Sequence, residues 1–227
     1  LGEKFRQLAQ KGLGQDVDLE AGILLIMEFG YPDCDPEVCR QALDSLAHQL
    51  EQKLDLNADP SQVVSTLTHL LFQQEHFRGN KKNYLDPDNS YINKVLENKT
   101  GLPITLSILC VLVASRLSLP IVGVGLPGHY IAKYNHPKNP VYFDPFHQGR
   151  LLTRADCIQI MEQFGHPFEE IYLSQSTHQE TLIRMMNNLI QVYQGSNETK
   201  KADTLSDYIK ILMNPSKDPF SKNNREI

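Results

Sequence analysis

Leu102-Pro103-Ile104-Thr105-Leu106-Ser107 opens an apolar run that is followed by Pro127-Gly128-His129 and then by Val141-Tyr142-Phe143-Asp144-Pro145-Phe146. The run from Pro103 to Leu117 predicts a long helix. Proline is tolerated in its first turn because the N–H there has no intrahelical partner. Ile121 to Leu126, β-branched and short, predicts a strand with glycines at 123 and 125 marking bulges or close packing. Tyr130 to Tyr134 and Val141 to Asp144 predict two more, joined by the turn-forming Asn135-His136-Pro137-Lys138-Asn139-Pro140. Neighbouring strands lie about 5 Å apart, so a histidine heading one strand and an aspartate ending the next can meet across the pair. His129 and Asp144 are thus two thirds of a nucleophile-His-Asp constellation.

Upstream, the pattern is helical. Asp18 to Phe29 holds an N-cap candidate and a compact apolar run that ends near Gly30 and Pro32. Asp35-Pro36 opens a second helix to Leu54, with Val38, Ala42, Leu43, Leu46, Ala47, Leu50 and Leu54 along one face. Asp59-Pro60-Ser61 opens a third, with Val63, Val64, Leu67, Leu70, Leu71 and Phe72 as its buried stripe. Phe77 to Ser90 is polar and rich in turn formers, an ordered loop or a binding surface. Tyr91 to Asn98 reads as a short helix.

Downstream, Thr153 opens a helix to about Phe164, with Asp156 standing in for the glutamate of a capping box. Thr181 to Tyr193 and Lys201 to Met213 form an amphipathic hairpin, and the polar tail after Pro215 reads as frayed. The fold class is α+β and mostly helical. Three units are expected: an N-terminal helical subdomain over residues 1–76, a core over 77–175 with a small antiparallel sheet on the central helix, and a C-terminal hairpin and tail over 176–227.

The chain has 227 residues and a formal net charge of -5. No basic stripe is available for a phosphate backbone, so direct nucleic-acid binding is not expected. The longest apolar stretch, Ile104 to Val113, falls short of the roughly 18 to 20 residues that span a bilayer. Neither a membrane segment nor a signal peptide is expected, and a cytoplasmic location follows. Cysteines at 34, 39, 110 and 157 form no zinc-finger spacing. Cys34 and Cys39 read as ordinary thiols, and Cys110 and Cys157 as small core residues.

Phe77-Arg78-Gly79-Asn80, Asn89-Ser90-Tyr91-Ile92-Asn93-Lys94-Val95-Leu96-Glu97, Gly101 to Ser107 and Gly123 to His129 resemble the SirB-type proteins of the transglutaminase-like, papain-like cysteine hydrolase superfamily. A related region occurs in an F-box protein. The resemblance spans roughly Asp18 to Phe164, and Arg184-Met185-Met186-Asn187-Asn188-Leu189 resembles the tetratricopeptide-like extension that often follows. It implies a catalytic cysteine at the start of the central helix, with histidine and aspartate on adjacent strands. Counting back from Leu119-Pro120 puts the cysteine's place at or next to Pro103.

A pyrrolidine ring is no nucleophile, so Pro103 argues against cysteine chemistry. Thr105 and Ser107 offer hydroxyls on the same helix, either as displaced nucleophiles or as helix hydrogen-bond donors. Arg78, Asn80, Asn89, Ser90 and Glu97 are candidates to line the same cleft. The alternative is that the asparagines cap turns and Glu97 pairs with a surface lysine. His147 and Arg150 follow closely and stand as flanking candidates. No metal is expected, since His129, Asp144 and Glu97 lack ligand spacing, and no cofactor. The function expected is a non-catalytic, pseudoenzyme-like protein- or peptide-interaction module with a regulatory role. The alternative is an amide hydrolase or acyl transferase in which His129, oriented by Asp144, activates water or a hydroxyl.

Overall fold

The computed structural model describes residues 1–55 and 58–216. The polar tail therefore lies, beyond Ser216, outside the described residues. Four helices occupy the first third: α1 (Gly2–Lys11), α2 (Leu19–Gly30), α3 (Pro36–Glu51) and α4 (Pro60–Thr68), the last running on as a π-helical turn over His69–Gln74. Three begin where capping chemistry predicts. The carboxylates of Asp18, Asp35 and Asp59 accept hydrogen bonds from the first-turn amides of Ala21, Glu37 and Ser61, donors that otherwise have no intrahelical partner.

Helix α1 has no counterpart among the sequence expectations; it buries Phe5, Leu8 and Ala9, and Phe5 stacks on Tyr208 at 4.6 Å between ring centroids. Val38 corrects the expected stripe of α3. It is 61% exposed, because it borders an open groove facing the helix at residues 92–98, and Cys39 is buried in its place.

The polar loop contains a strand, β1 (Arg78–Gly79), that pairs in parallel with β2 (Thr100–Gly101). Between them lie a 3₁₀ turn over Pro87–Ser90 and α5 (Ile92–Asn98). Then comes α6 (Pro103–Ser115), in which every residue from Pro103 to Ala114 is buried. A helix apolar all round has to be enclosed on every side. It packs against α3 and α5, the main sheet and α8.

That sheet is a four-stranded antiparallel meander, β3 (Ile121–Val124), β4 (Ile131–Tyr134), β5 (Val141–Asp144) and β6 (Arg150–Leu152), in spatial order 3-4-5-6. Val124 faces Ile131, and Ala132 faces Phe143. The β6 strand, too short to show alternation, adds a fourth member to the three expected. Helix α7 (Arg154–Gln163) follows, then α8 (His178–Gly195) and α9 (Thr199–Met213) as the expected hairpin. The architecture is α+β and mostly helical. One continuous cluster of buried side chains reaches from Phe5 through α6 to Leu212, and a smaller one under Val124, Cys157 and Met161 seats α7 on the sheet.

At α7, Thr153 Oγ1 accepts from the Asp156 amide at 3.1 Å and Asp156 accepts from the Thr153 amide at 2.8 Å, the capping box with aspartate in the glutamate's place. Thr153→Ala is expected to cost about 1 kcal/mol. A urea denaturation midpoint lowered by that cost divided by the slope, with the slope unchanged, checks it.

Candidate functional site

Strand β5 ends at Asp144, and the 3₁₀ turn Pro145–His147 starts there because the Asp144 side chain caps it. Its Oδ1 accepts from the amides of Phe146 at 3.0 Å and His147 at 3.3 Å. Its Oδ2 accepts from His129 Nε2 at 2.8 Å and from His147 Nδ1 at 2.8 Å. An ionised carboxylate only accepts, so these contacts require Nε2–H on His129 and Nδ1–H on His147. Asp144 and His129 are buried, and the His147 side chain is half exposed. Burial acts to raise the Asp144 pKa, but the hydrogen bonds and charges of His129 and His147 outweigh it and hold the carboxyl below its ordinary value.

His129 stands in the loop just before β4. Gly128, at φ +76°, makes the turn in a conformation that L side chains rarely adopt, and a Cβ there would strike the Phe164 ring. The Arg184 guanidinium, half-way along α8, donates to the carbonyls of Leu126 at 2.9 Å and His129 at 2.8 Å. It thereby straps the loop to the C-terminal hairpin. Arg184 lies in the stretch read as a helical extension, and no local sequence pattern ties it to a loop 55 positions away.

Helix α6 packs on both β4 and the Pro145–His147 turn. Pro103 is its first residue and is buried. Ser107 Oγ donates to the Pro103 carbonyl at 2.8 Å, and Thr105 Oγ1 donates to the Asn89 carbonyl at 2.7 Å; both are fully buried. Burial pushes the Cys110 thiol far up and the Cys157 thiol up to about 12. Among the described residues, the hydrogen-bond partner of the His129 ring is Asp144 and no Ser, Thr or Cys.

The remaining candidates separate. Asn80 and Asn89 brace the loop onto α6. Asn80 Nδ2 donates to Asn89 Oδ1 at 2.9 Å, Asn89 Nδ2 to the Asn83 carbonyl at 2.7 Å, and the Leu102 amide to the Asn89 carbonyl at 3.3 Å. Ser90 is buried, and its hydroxyl has no hydrogen-bond partner among the described residues. Arg78 is exposed on β1, whose Gly79 lies so close to Phe146 that a Cβ would meet its ring at 2.5 Å. Glu97 lies elsewhere. It pairs with Lys94 at 2.7 Å and borders a cleft of about 700 Å³ between the Tyr31–Cys34 turn, α3 and α5. Arg150 pairs with Asp156 at 2.8 Å.

Aromatic residues that the sequence reading did not single out frame the pair. Phe146 lies edge-on to His129 at 6.4 Å, Tyr84 edge-on to Phe146 at 5.9 Å, and Phe164 covers Gly128. Tyr84 and Phe164 are 45% and 54% exposed, so apolar ring surface faces solvent next to Phe146 and Gly128.

A buried central helix packed on an antiparallel sheet that carries a paired histidine and aspartate defines a transglutaminase-like protein. The chain belongs to the transglutaminase-like superfamily: the family pattern of that description matches residues 37–187. Among curated proteins, it is 29% identical over 205 residues to a UPF0162 protein of Xylella fastidiosa, covering 88% of this chain and 73% of that one. A UPF0162 protein of Pseudomonas aeruginosa is 29% identical over 182 residues, 79% of this chain and 66% of its own. F-box only protein 21 of Mus musculus is 27% identical over 161 residues, which is 67% of this chain but 25% of that protein. No solved structure matches the chain. No helix among the described residues is long and apolar enough to cross a membrane.

Proposed function

We propose that this transglutaminase-like chain is a non-catalytic protein- or peptide-interaction module of the cytoplasm. The observation that carries the reading is Pro103, buried at the start of α6, the position where the resemblance expects a nucleophile. Acyl transfer needs a thiolate or alkoxide beside a base. The nearby hydroxyls of Ser107 and Thr105 are instead committed to carbonyls inside the helix and its supporting loop.

What remains is the buried polar pair His129 and Asp144, flanked by the partly exposed rings of Tyr84, which meets Phe146, and Phe164, which covers Gly128. A few apolar anchors around convergent polar groups is the ordinary anatomy of a peptide site. The net charge of -5 favours a protein ligand over nucleic acid. The recurrence of the pattern within a quarter of F-box only protein 21 is in keeping with a module used inside longer chains. The α8–α9 hairpin acts as one tetratricopeptide-like unit that holds the His129 loop through Arg184, and Arg78, Asn80, Asn89 and Ser90 belong to the loop that supports the first turn of α6.

Selection of a displayed peptide library on the purified protein tests this. The expected result is a shared motif whose peptides bind saturably, with Kd raised at least tenfold by Phe164→Ala or Tyr84→Ala and unchanged by Val38→Ala, an exposed apolar residue of the cleft between α3 and α5. Binding indifferent to the two ring variants would overturn it. So would hydrolysis of acyl probes abolished by His129→Ala.

A further inference from the structure

Three ligand-type atoms converge at the end of β5. His129 Nε2, His147 Nδ1 and an Asp144 carboxylate oxygen all lie within 4.8 Å of one another. Each imidazole is already 2.8 Å from the same Oδ2. A zinc-class ion bound at about 2.1 Å holds neighbouring donors about 3 to 3.5 Å apart. The pairs therefore stand close to the spacing a metal imposes, and small rotations of the two rings would open a seat. The donors come from the loop before β4, the end of β5 and the turn after it, so they approach from different directions.

The geometry points to a metal site at His129, Asp144 and His147, taking one divalent transition ion of borderline softness, of the zinc class. Two imidazoles and a carboxylate are the donor set that such ions prefer over hard ions such as magnesium or calcium. Metal ligands are usually held by outer hydrogen bonds, and Asp144 has them: the Phe146 and His147 amides fix its Oδ1 and leave Oδ2 turned to the rings. His147 is the solvent-facing member, its side chain 47% exposed against 9% and 3% for the other two. The ion enters from that side and keeps its remaining positions there, for water or for a donor group on a bound partner. Ligation needs a free lone pair on Nε2 of His129 and on Nδ1 of His147, so a neutral ring moves its proton to its other nitrogen and a charged ring releases one to solvent. This site is independent of the interaction reading, since an ion can bind with no partner present.

The test is titration of the chelator-stripped full chain with zinc against a competing chromophoric chelator, repeated with cobalt(II) as a spectroscopic substitute. The expected result is one tightly bound equivalent, weakened at least tenfold in His147→Ala and in His129→Ala. His48→Ala, on the exposed face of α3, leaves it unchanged. His147 is half exposed, so its variant keeps the fold even if the His129 variant does not. Bound cobalt should show visible ligand-field bands with no thiolate charge-transfer absorption, and zinc should raise the Tm of the parent chain but not of His147→Ala. Binding unaltered by His147→Ala, a thiolate spectrum, or no stoichiometric uptake would each overturn the assignment.

Discussion

Asp144→Ala is expected to lower the unfolding free energy by about 3 kcal/mol, the cost of removing the charged acceptor of a buried hydrogen-bonded group. Four donors converge on this carboxylate: two backbone amides and two ring nitrogens. Alanine leaves His129, itself buried, without its hydrogen-bond partner and uncaps the turn that follows β5. At this chain length the loss corresponds to a Tm lowered by about 10 °C. Asp144→Asn keeps the shape and an oxygen for the amides, and is expected to cost clearly less.

The pH dependence has a definite sign. A carboxyl whose folded-state pKa lies below its unfolded value stabilises the protein at any pH above about 3.9, and that contribution fades as pH falls through the folded value. Urea denaturation between pH 3 and pH 7 should therefore show the parent losing stability more steeply below about pH 4 than Asp144→Asn does. A cost under about 1 kcal/mol for Asp144→Ala would mean that the group is not holding the turn.

Tyr91→Ala is the second large effect, at about 3 to 5 kcal/mol. Tyr91 is 1% exposed and its hydroxyl lies 2.6 Å from that of Tyr193 on α8. Its ring meets Tyr31 edge-on at 5.3 Å and presses on Gly30 so closely that a Cβ there would stand 2.5 Å away. The residue thus joins the end of α2, the start of α5 and the C-terminal hairpin. Tyr91→Phe removes only the shared hydroxyl contact and is expected to cost about 1 kcal/mol. Because one core links these elements, unfolding of the alanine variant should shift as a whole. Far-ultraviolet and near-ultraviolet circular dichroism should trace one coincident transition in urea. A separate early transition would show that the hairpin unfolds by itself.

Much of this architecture is written in local patterns. The caps at Asp18, Asp35, Asp59 and Thr153 are visible because a short polar side chain just before an apolar periodicity has one good use. A glutamate at the third helical position is the stronger signal of a capping box, yet Asp156 closes the same box at α7 with a shorter arm. The three longer strands of the meander are visible through β-branched runs bounded by turn residues. So is the meeting of His129 with Asp144, because adjacent antiparallel strands put the head of one beside the tail of the next. Features that depend on distant parts of the chain are not readable in this way. Strands β1, β2 and β6 are two or three residues long and too short to display a period. The exposure of Val38 follows from a groove left open by α5, and the place of Glu97 follows from the direction in which that helix runs. Arg184 joins the site through contacts that only the folded chain reveals, whereas His147, three residues from Asp144, is within reach of local reading.

Helix α6 has no face turned to water from Pro103 to Ala114. During synthesis it leaves the ribosome before the sheet, α7 and the α8–α9 hairpin exist. At about 5 to 20 residues per second, this greasy rod waits several seconds for the segments that enclose it. The nascent chain has to shelter α6 against the N-terminal helices alone, or be held by another factor, until the sheet and α8 are made and close around it.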